Sequence, residues 1–222
     1  MNRGELRTFV AQLCEDVKQT KFTQAMYHEA IKQAERQFSL DSKALYSDSA
    51  ITMVVGTASY SLPSDFMLEK EVTLNGLKLN PISRATLQGL KTSSRWDEDE
   101  GTPQYFIIDP EEARKHITLY PKPDSAADGT SLVLTYYPVP AEMSLDSSIP
   151  LNSSALMTQF HIGLAHYAAW LLLSYLSQTP EISQKRGEFY NNYFKKVEDA
   201  IQTFGNTKSE PISFHVHDVR VR

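Results

Sequence analysis

The apolar residues of this chain change period twice, from the three-and-four spacing of helices to short punctuated runs and back again. Near the start, Leu6, Phe9, Val10, Leu13 and Val17 share one face of a predicted helix. Thr23 is a suitable N-cap for a second, whose stripe runs Met26, Tyr27, Ala30, Ile31, Ala34 and Phe38 and fades near Ser39. A third is predicted over 155–176, with Leu156, Phe160, Leu164, Tyr167, Ala168, Leu171, Leu172 and Tyr175 on one side and Trp170 and Leu173 on the other. Pro180 stops that pattern, and a fourth over 183–204 carries Phe189, Tyr190, Tyr193, Phe194, Val197, Ala200, Ile201 and Phe204. Each helix has a stripe it cannot bury alone, so helices from both ends must meet in one bundle. The longest apolar run, Tyr167 to Leu173, is 7 residues, against roughly 18 needed to cross a bilayer.

Between these ends the punctuation belongs to strands. Short β-rich runs are predicted at 51–55, 57–62, 67–74, 77–82, 105–108, 117–120 and 132–137, with a short helix at 84–91. Asn75-Gly76 tolerates positive φ and suits a two-residue type I′ hairpin turn. Six or seven strands make a small barrel or sandwich. The predicted fold class is therefore α+β: an antiparallel helical bundle from residues 1–48 and 151–204, an antiparallel β-rich insertion at 49–150, and an extended arm at 205–222.

The arm follows a helix yet reads as a strand. Ile212, Phe214 and Val216 alternate with Ser213, His215 and His217, and the alternation resumes as Val219, Arg220, Val221, Arg222. An isolated strand leaves its backbone groups and apolar face without a partner. The sequence leaves three resolutions open: the protein's own sheet, a frayed terminus, or addition to another subunit.

The chemistry of the chain is mostly excluded classes. A net charge of -5, with the acidic run Asp97-Glu98-Asp99-Glu100 and no basic block to match it, argues against a broad grip on nucleic-acid phosphates. The single cysteine, Cys14, reads as a buried apolar filler in a reducing compartment. Cys14-Glu15-Asp16 interrupts the apolar residues after the N-terminus, so no secretion signal is expected. There is no glycine-rich phosphate loop, nucleophile elbow, His-Glu-x-x-His helix or Cys-x-x-Cys pair. His161 and His166 are five apart, about 140° around a helix, and cannot share a metal as an i,i+4 pair does. His215 and His217 would share a strand face without a third ligand beside them. No catalytic residue, metal or cofactor is predicted. Trp96 with Asp97 and Asp99 offers a sugar platform and two carboxylates, but four acids before Gly101-Thr102-Pro103 read first as a solvated loop. The aromatic runs Tyr136-Tyr137 and Tyr190 to Phe194 suit core or subunit packing.

The segments Gly56-Thr57-Ala58-Ser59-Tyr60-Ser61-Leu62-Pro63-Ser64-Asp65-Phe66, Gly101-Thr102-Pro103-Gln104-Tyr105-Phe106-Ile107-Ile108, Ile117-Thr118-Leu119-Tyr120-Pro121 and Leu134-Thr135-Tyr136-Tyr137 resemble the head-to-tail adaptor proteins of tailed bacteriophages. The flanking helix pairs and extended C-terminus share the resemblance. It implies a structural virion protein at the capsid-tail junction, assembled in the host cytoplasm, that forms a ring of about twelve copies under the portal. By the same implication the helices build the ring wall and the arm docks on the portal, with Ile212, Phe214, Val216, Val219 and Val221 as the contact residues. A tail protein would bind the opposite face, and DNA would cross the channel without specific binding. Two other classes stay open: a carbohydrate-binding or carbohydrate-cleaving module using Trp96, Asp97 and Asp99, and a scaffolding protein whose bundle holds a peptide.

Overall fold

The computed structural model describes residues 1–90, 99–108, 116–151 and 155–205. Helix α1 (Arg3–Leu13) starts from a reciprocal cap: Asn2 Oδ1 accepts the Glu5 N–H at 2.8 Å, and Glu5 Oε2 accepts the Asn2 N–H at 3.0 Å. It stops one turn earlier than its spacing predicts. Glu15 turns left-handed at φ 53°, so Val17 sits on a loop and is 71% exposed rather than on the apolar face. The cause is Asp16, itself only 3% exposed. Its carboxylate accepts the N–H groups of Thr20 (2.8 Å), Lys21 (3.0 Å) and Phe22 (3.1 Å) and the hydroxyl of Tyr27 (2.8 Å), folding the corner around itself.

Helix α2 (Gln24–Ser42) begins at the predicted cap, where Thr23 Oγ1 accepts the Met26 N–H at 3.3 Å, and runs three residues beyond Ser39 to a left-handed Lys43. At the other end of the chain, residues predicted as one helix divide. Ala155–Phe160 form a 3-10 segment, and α4 (His161–Leu173) ends before Tyr175, which is 63% exposed. The short helix expected at 84–91 is α3 (Arg84–Leu90). Pro180 does more than stop α4. It occupies the first turn of α5 (Pro180–Phe204), where its missing N–H costs nothing, and Thr179 caps the Ile182 N–H at 3.3 Å. Leu6 and Val10 of α1, Tyr27, Ile31 and Phe38 of α2, Leu164, Ala168 and Leu172 of α4, and Tyr193, Val197 and Ala200 of α5 fill one core. The N- and C-terminal helices thus pack together as the period pattern requires.

Among the described residues ten strands lie between them: β1 (Ser47–Thr52), β2 (Ser59–Ser61), β3 (Phe66–Leu74), β4 (Leu77–Lys78), β5 (Asn80–Pro81), β6 (Glu100–Gly101), β7 (Tyr105–Ile108), β8 (His116–Tyr120), β9 (Lys122–Pro123) and β10 (Ser131–Pro138). They form sheets of order β1-β10-β3-β4 and β2-β8-β7-β5, with β6 and β9 as a third pair. Val72, Leu74, Leu132 and Leu134 of the first sheet and Phe106, Ile117 and Leu119 of the second are buried in one shared cluster.

Three departures from the predicted strands have local causes. The first strand lies at Ser47–Thr52 instead of 51–55, because the Val54 and Val55 N–H groups are taken by Tyr60 Oη and Asp128 Oδ1, both at 3.0 Å, and no longer by a ladder. The run at 77–82 divides: Leu77–Lys78 pair with β3, Leu79 turns into the core, and Asn80–Pro81 cross to the second sheet. That crossing makes β5–β7 parallel, as is β6–β9, so the insertion is not wholly antiparallel.

Asn75 (φ 50°) and Gly76 (φ 78°) form the expected I′ turn, with Leu74 opposite Leu77. A Cβ on Gly76 would meet nothing within 4 Å, so Gly76→Val tests backbone conformation alone. It is expected to cost about 1 kcal/mol in urea unfolding; an unchanged midpoint would contradict the turn assignment. Asp16→Ala leaves the corner's donors unpaired and is expected to cost about 3 kcal/mol. Burial pushes the Asp16 carboxyl up, and the N–H bonds and Tyr27 outweigh it, holding it down to about 2. Its stabilisation is therefore complete above the ordinary value of 3.8 and is lost as pH falls toward 2. Wild type and variant should converge in acid melts, and a constant gap would contradict this.

Candidate assembly surfaces

The aromatic residues predicted for the last helix divide between core and surface. Tyr193 is fully buried and donates its hydroxyl to Asp41 Oδ2 at 2.6 Å, joining α5 to the end of α2. Burial first, then the Asp41 charge, keeps that phenol far above its ordinary range. Around it the rings continue outward: Tyr167 is 4.8 Å from Tyr193, Trp170 is 5.2 Å from Tyr190, and Tyr190 is 5.2 Å from Phe194, centroid to centroid. The Arg186 guanidinium lies 5.6 Å from the Trp170 ring. Tyr190 is 38% exposed, so the outer half of this cluster faces solvent. Gly163 sets how closely α5 approaches, since a Cβ there would fall 2.8 Å from Lys196 Cβ.

A second apolar surface lies where α2 meets the end of α4. Ala25, Met26, Ala30, Leu171 and Tyr175 line a groove of about 380 Å³ rimmed by Glu29 and Gln33. Glu15 on the Asp16 corner pairs with Lys185 on α5. On the opposite connection, Leu145 and Ile149 are 64% and 47% exposed. These surfaces combine partly exposed apolar and aromatic side chains with a charged or polar rim.

Several residues singled out in the sequence fall outside the described chain. The arm residues Ile212, Phe214, Val216, Val219 and Val221 do, as do His215, His217, Trp96 and Asp97. Asp99 is described, and its carboxylate has a structural use: it accepts the Tyr120 hydroxyl at 2.7 Å, and its carbonyl accepts the Lys122 N–H at 3.0 Å. His161 is fully buried, with the Met1 amino group donating to its Nδ1 at 3.0 Å; His166 is half-buried beside Phe189. Burial, and next the Asp16 charge, push the Cys14 thiol up to about 12, which leaves it inert at neutral pH. Among the described residues no three His, Cys, Asp or Glu side chains are grouped to hold a metal, and no helix is long and apolar enough to cross a membrane.

Sequence reasoning missed the buried carboxylates Asp16 and Glu35 and the Asp41–Tyr193 link. None of the three gives a periodic signal in the sequence, because each acid is recognised only through the donors that reach it, Phe22 and Tyr27 at Asp16, Leu151 at Glu35 and Tyr193 at Asp41.

The search of curated proteins finds no match. The comparison with protein families matches residues 1–211 to the SU10 adaptor protein family, ending immediately before Ile212 of the arm. With almost the whole chain matched, and with paired terminal helices around central sheets, the protein belongs to the SU10 adaptor protein family of phage head-tail adaptors.

Proposed function

We propose that this chain is a head-completion protein that assembles as a ring of about twelve copies beneath the portal of the filled capsid. The observation that carries the reading is the family match across 1–211. The half-exposed rings on α4 and α5 support the assembly step. A ring joins unlike faces of neighbouring copies, and Trp170, Tyr190, Phe194 and Arg186 present the aromatic and arginine surface that recurs at interface centres. In this reading the bundle of 1–48 and 151–204 is the ring wall, the β-rich insertion of 49–150 projects from it, and the opposite face receives a tail protein. The acidic net charge of -5 suits a channel that DNA crosses without adhering.

The arm of 205–222 docks on the portal, with Ile212, Phe214, Val216, Val219 and Val221 entering apolar sites while its backbone adds hydrogen bonds. Repetition around the ring makes weak single contacts collectively durable.

Tyr190→Glu is expected to weaken self-association at least tenfold in sedimentation velocity with the monomer's circular dichroism unchanged; equal association would remove α5 from the ring contact. Deleting 206–222 is expected to leave the melting temperature within a few degrees of wild type and to abolish copurification with portal rings. Phe214→Asp should do the same by placing a charge in an apolar site, at several kcal/mol per copy. Copurification of either variant at wild-type stoichiometry, or unfolding of the deletion, would make the arm a strand of the protein's own sheet.

A further inference from the structure

After β10 the chain returns to the bundle through residues 139–151, which are tied to α1 and α2 by a set of polar bonds and end on Leu151, a member of the bundle core. Arg3 donates to the carbonyls of Met143 (2.6 Å) and Ser144 (3.3 Å) and pairs with Asp146 at 3.0 Å. Arg7 pairs with the other Asp146 oxygen at 3.1 Å, and Lys32 with Glu142 at 2.8 Å. The last of these bonds differs from the rest. Leu151 N–H donates at 2.6 Å to Oε1 of Glu35, a carboxyl 3% exposed in the core of the bundle. Leu151 is itself fully buried and left-handed at φ 56°, a conformation that leucine adopts only when its surroundings hold it there.

Among the described residues Glu35 has no counter-ion, because the surrounding cations are committed elsewhere. From α1, Arg3 and Arg7 serve the return segment. From α2, His28 faces Arg7 and Asp146, Glu29 accepts from Gln33, and Lys32 holds Glu142. From α4, His161 takes the Met1 amino group; from α5, Tyr193 serves Asp41, six residues further along α2. Glu35 also lines a cavity of about 540 Å³ shared with Arg3, His28, Lys32 and Met143, which gives water and protons a route to it.

We propose that Glu35 is a proton-operated latch: neutral, it holds Leu151 and the return segment against α2, and ionised, it turns toward the cavity and releases them. Burial sets the direction, since it pushes the carboxyl up to about 7 and the single Leu151 N–H bond only partly opposes it. Between the ordinary value of 4.5 and about 7, the folded state keeps a proton that the unfolded chain has lost. Stability therefore falls as pH rises through that window and levels off above it. The joint between sheets and bundle is thus firmest in mild acid and loosens above neutrality.

The test uses the full chain. Carbon-13 spectra of glutamate-labelled protein should show one side-chain carboxyl titrating near pH 7, absent from Glu35→Gln, which keeps an oxygen to accept the Leu151 N–H. Hydrogen-exchange protection at Leu151, corrected for intrinsic rates, should drop at least tenfold between pH 6 and pH 8 in wild type and stay level in the variant. Glutamate carboxyls that all titrate below about 5, or a protection loss that persists in Glu35→Gln, would overturn the proposal. The wild-type titration decides the matter even if the variant folds poorly.

Discussion

Burial of α4 is the constraint on which the rest of the structure depends. Leu164, Ala165, Ala168, Ala169 and Leu172 have no exposed surface, so this helix must be enclosed by others. The helices that enclose it come from both ends of the chain: α1 and α2 precede the sheets, and α5 follows. At roughly 25 cal/mol per Å² of apolar area, leaving any of these faces open would cost several kcal/mol. The middle of the chain therefore has to leave the bundle and return to it, and the two sheets form a second core of their own.

Polar contacts then fix how the enclosing helices sit. Asp16 closes the α1–α2 corner, the Tyr193–Asp41 bond sets α5 against α2, and Gly163 lets α5 come close. The result places part of the aromatic content on the outside. Tyr193 completes the core, while Tyr190 and Trp170, on the same seam, remain partly open. Partly open aromatic surface of this kind suits a member of an adaptor family.

Much of this was legible in the residues. Thr23 is the cap of α2, Asn75-Gly76 is a I′ turn, and the return of helical period after the strands implies that the chain ends meet. The resemblance to head-to-tail adaptors, read from segments such as 56–66 and 101–108, agrees with the family match. What stayed hidden was set by partners distant in sequence. Val17 and Tyr175 continue a periodicity that the backbone abandons, at the Asp16 corner and the end of α4. The run at 77–82 reads as one strand because nothing local shows that Asn80–Pro81 pair with Tyr105–Phe106 in another sheet. Pro180 reads as a stop, although Thr179 before it makes it a start. Asp16, Asp41 and Glu35 give no periodic signal, since a buried acid is recognised only through the donors that reach it.

Membership in an adaptor family makes assembly the central question. Native mass spectrometry of the 25.1 kDa chain, mixed with the portal ring of its own phage, tests it most directly. A single added mass equal to about twelve copies, with no partially filled species at saturation, is the predicted result. A portal that gains no mass, or gains copies one at a time without closing a ring, would contradict the account.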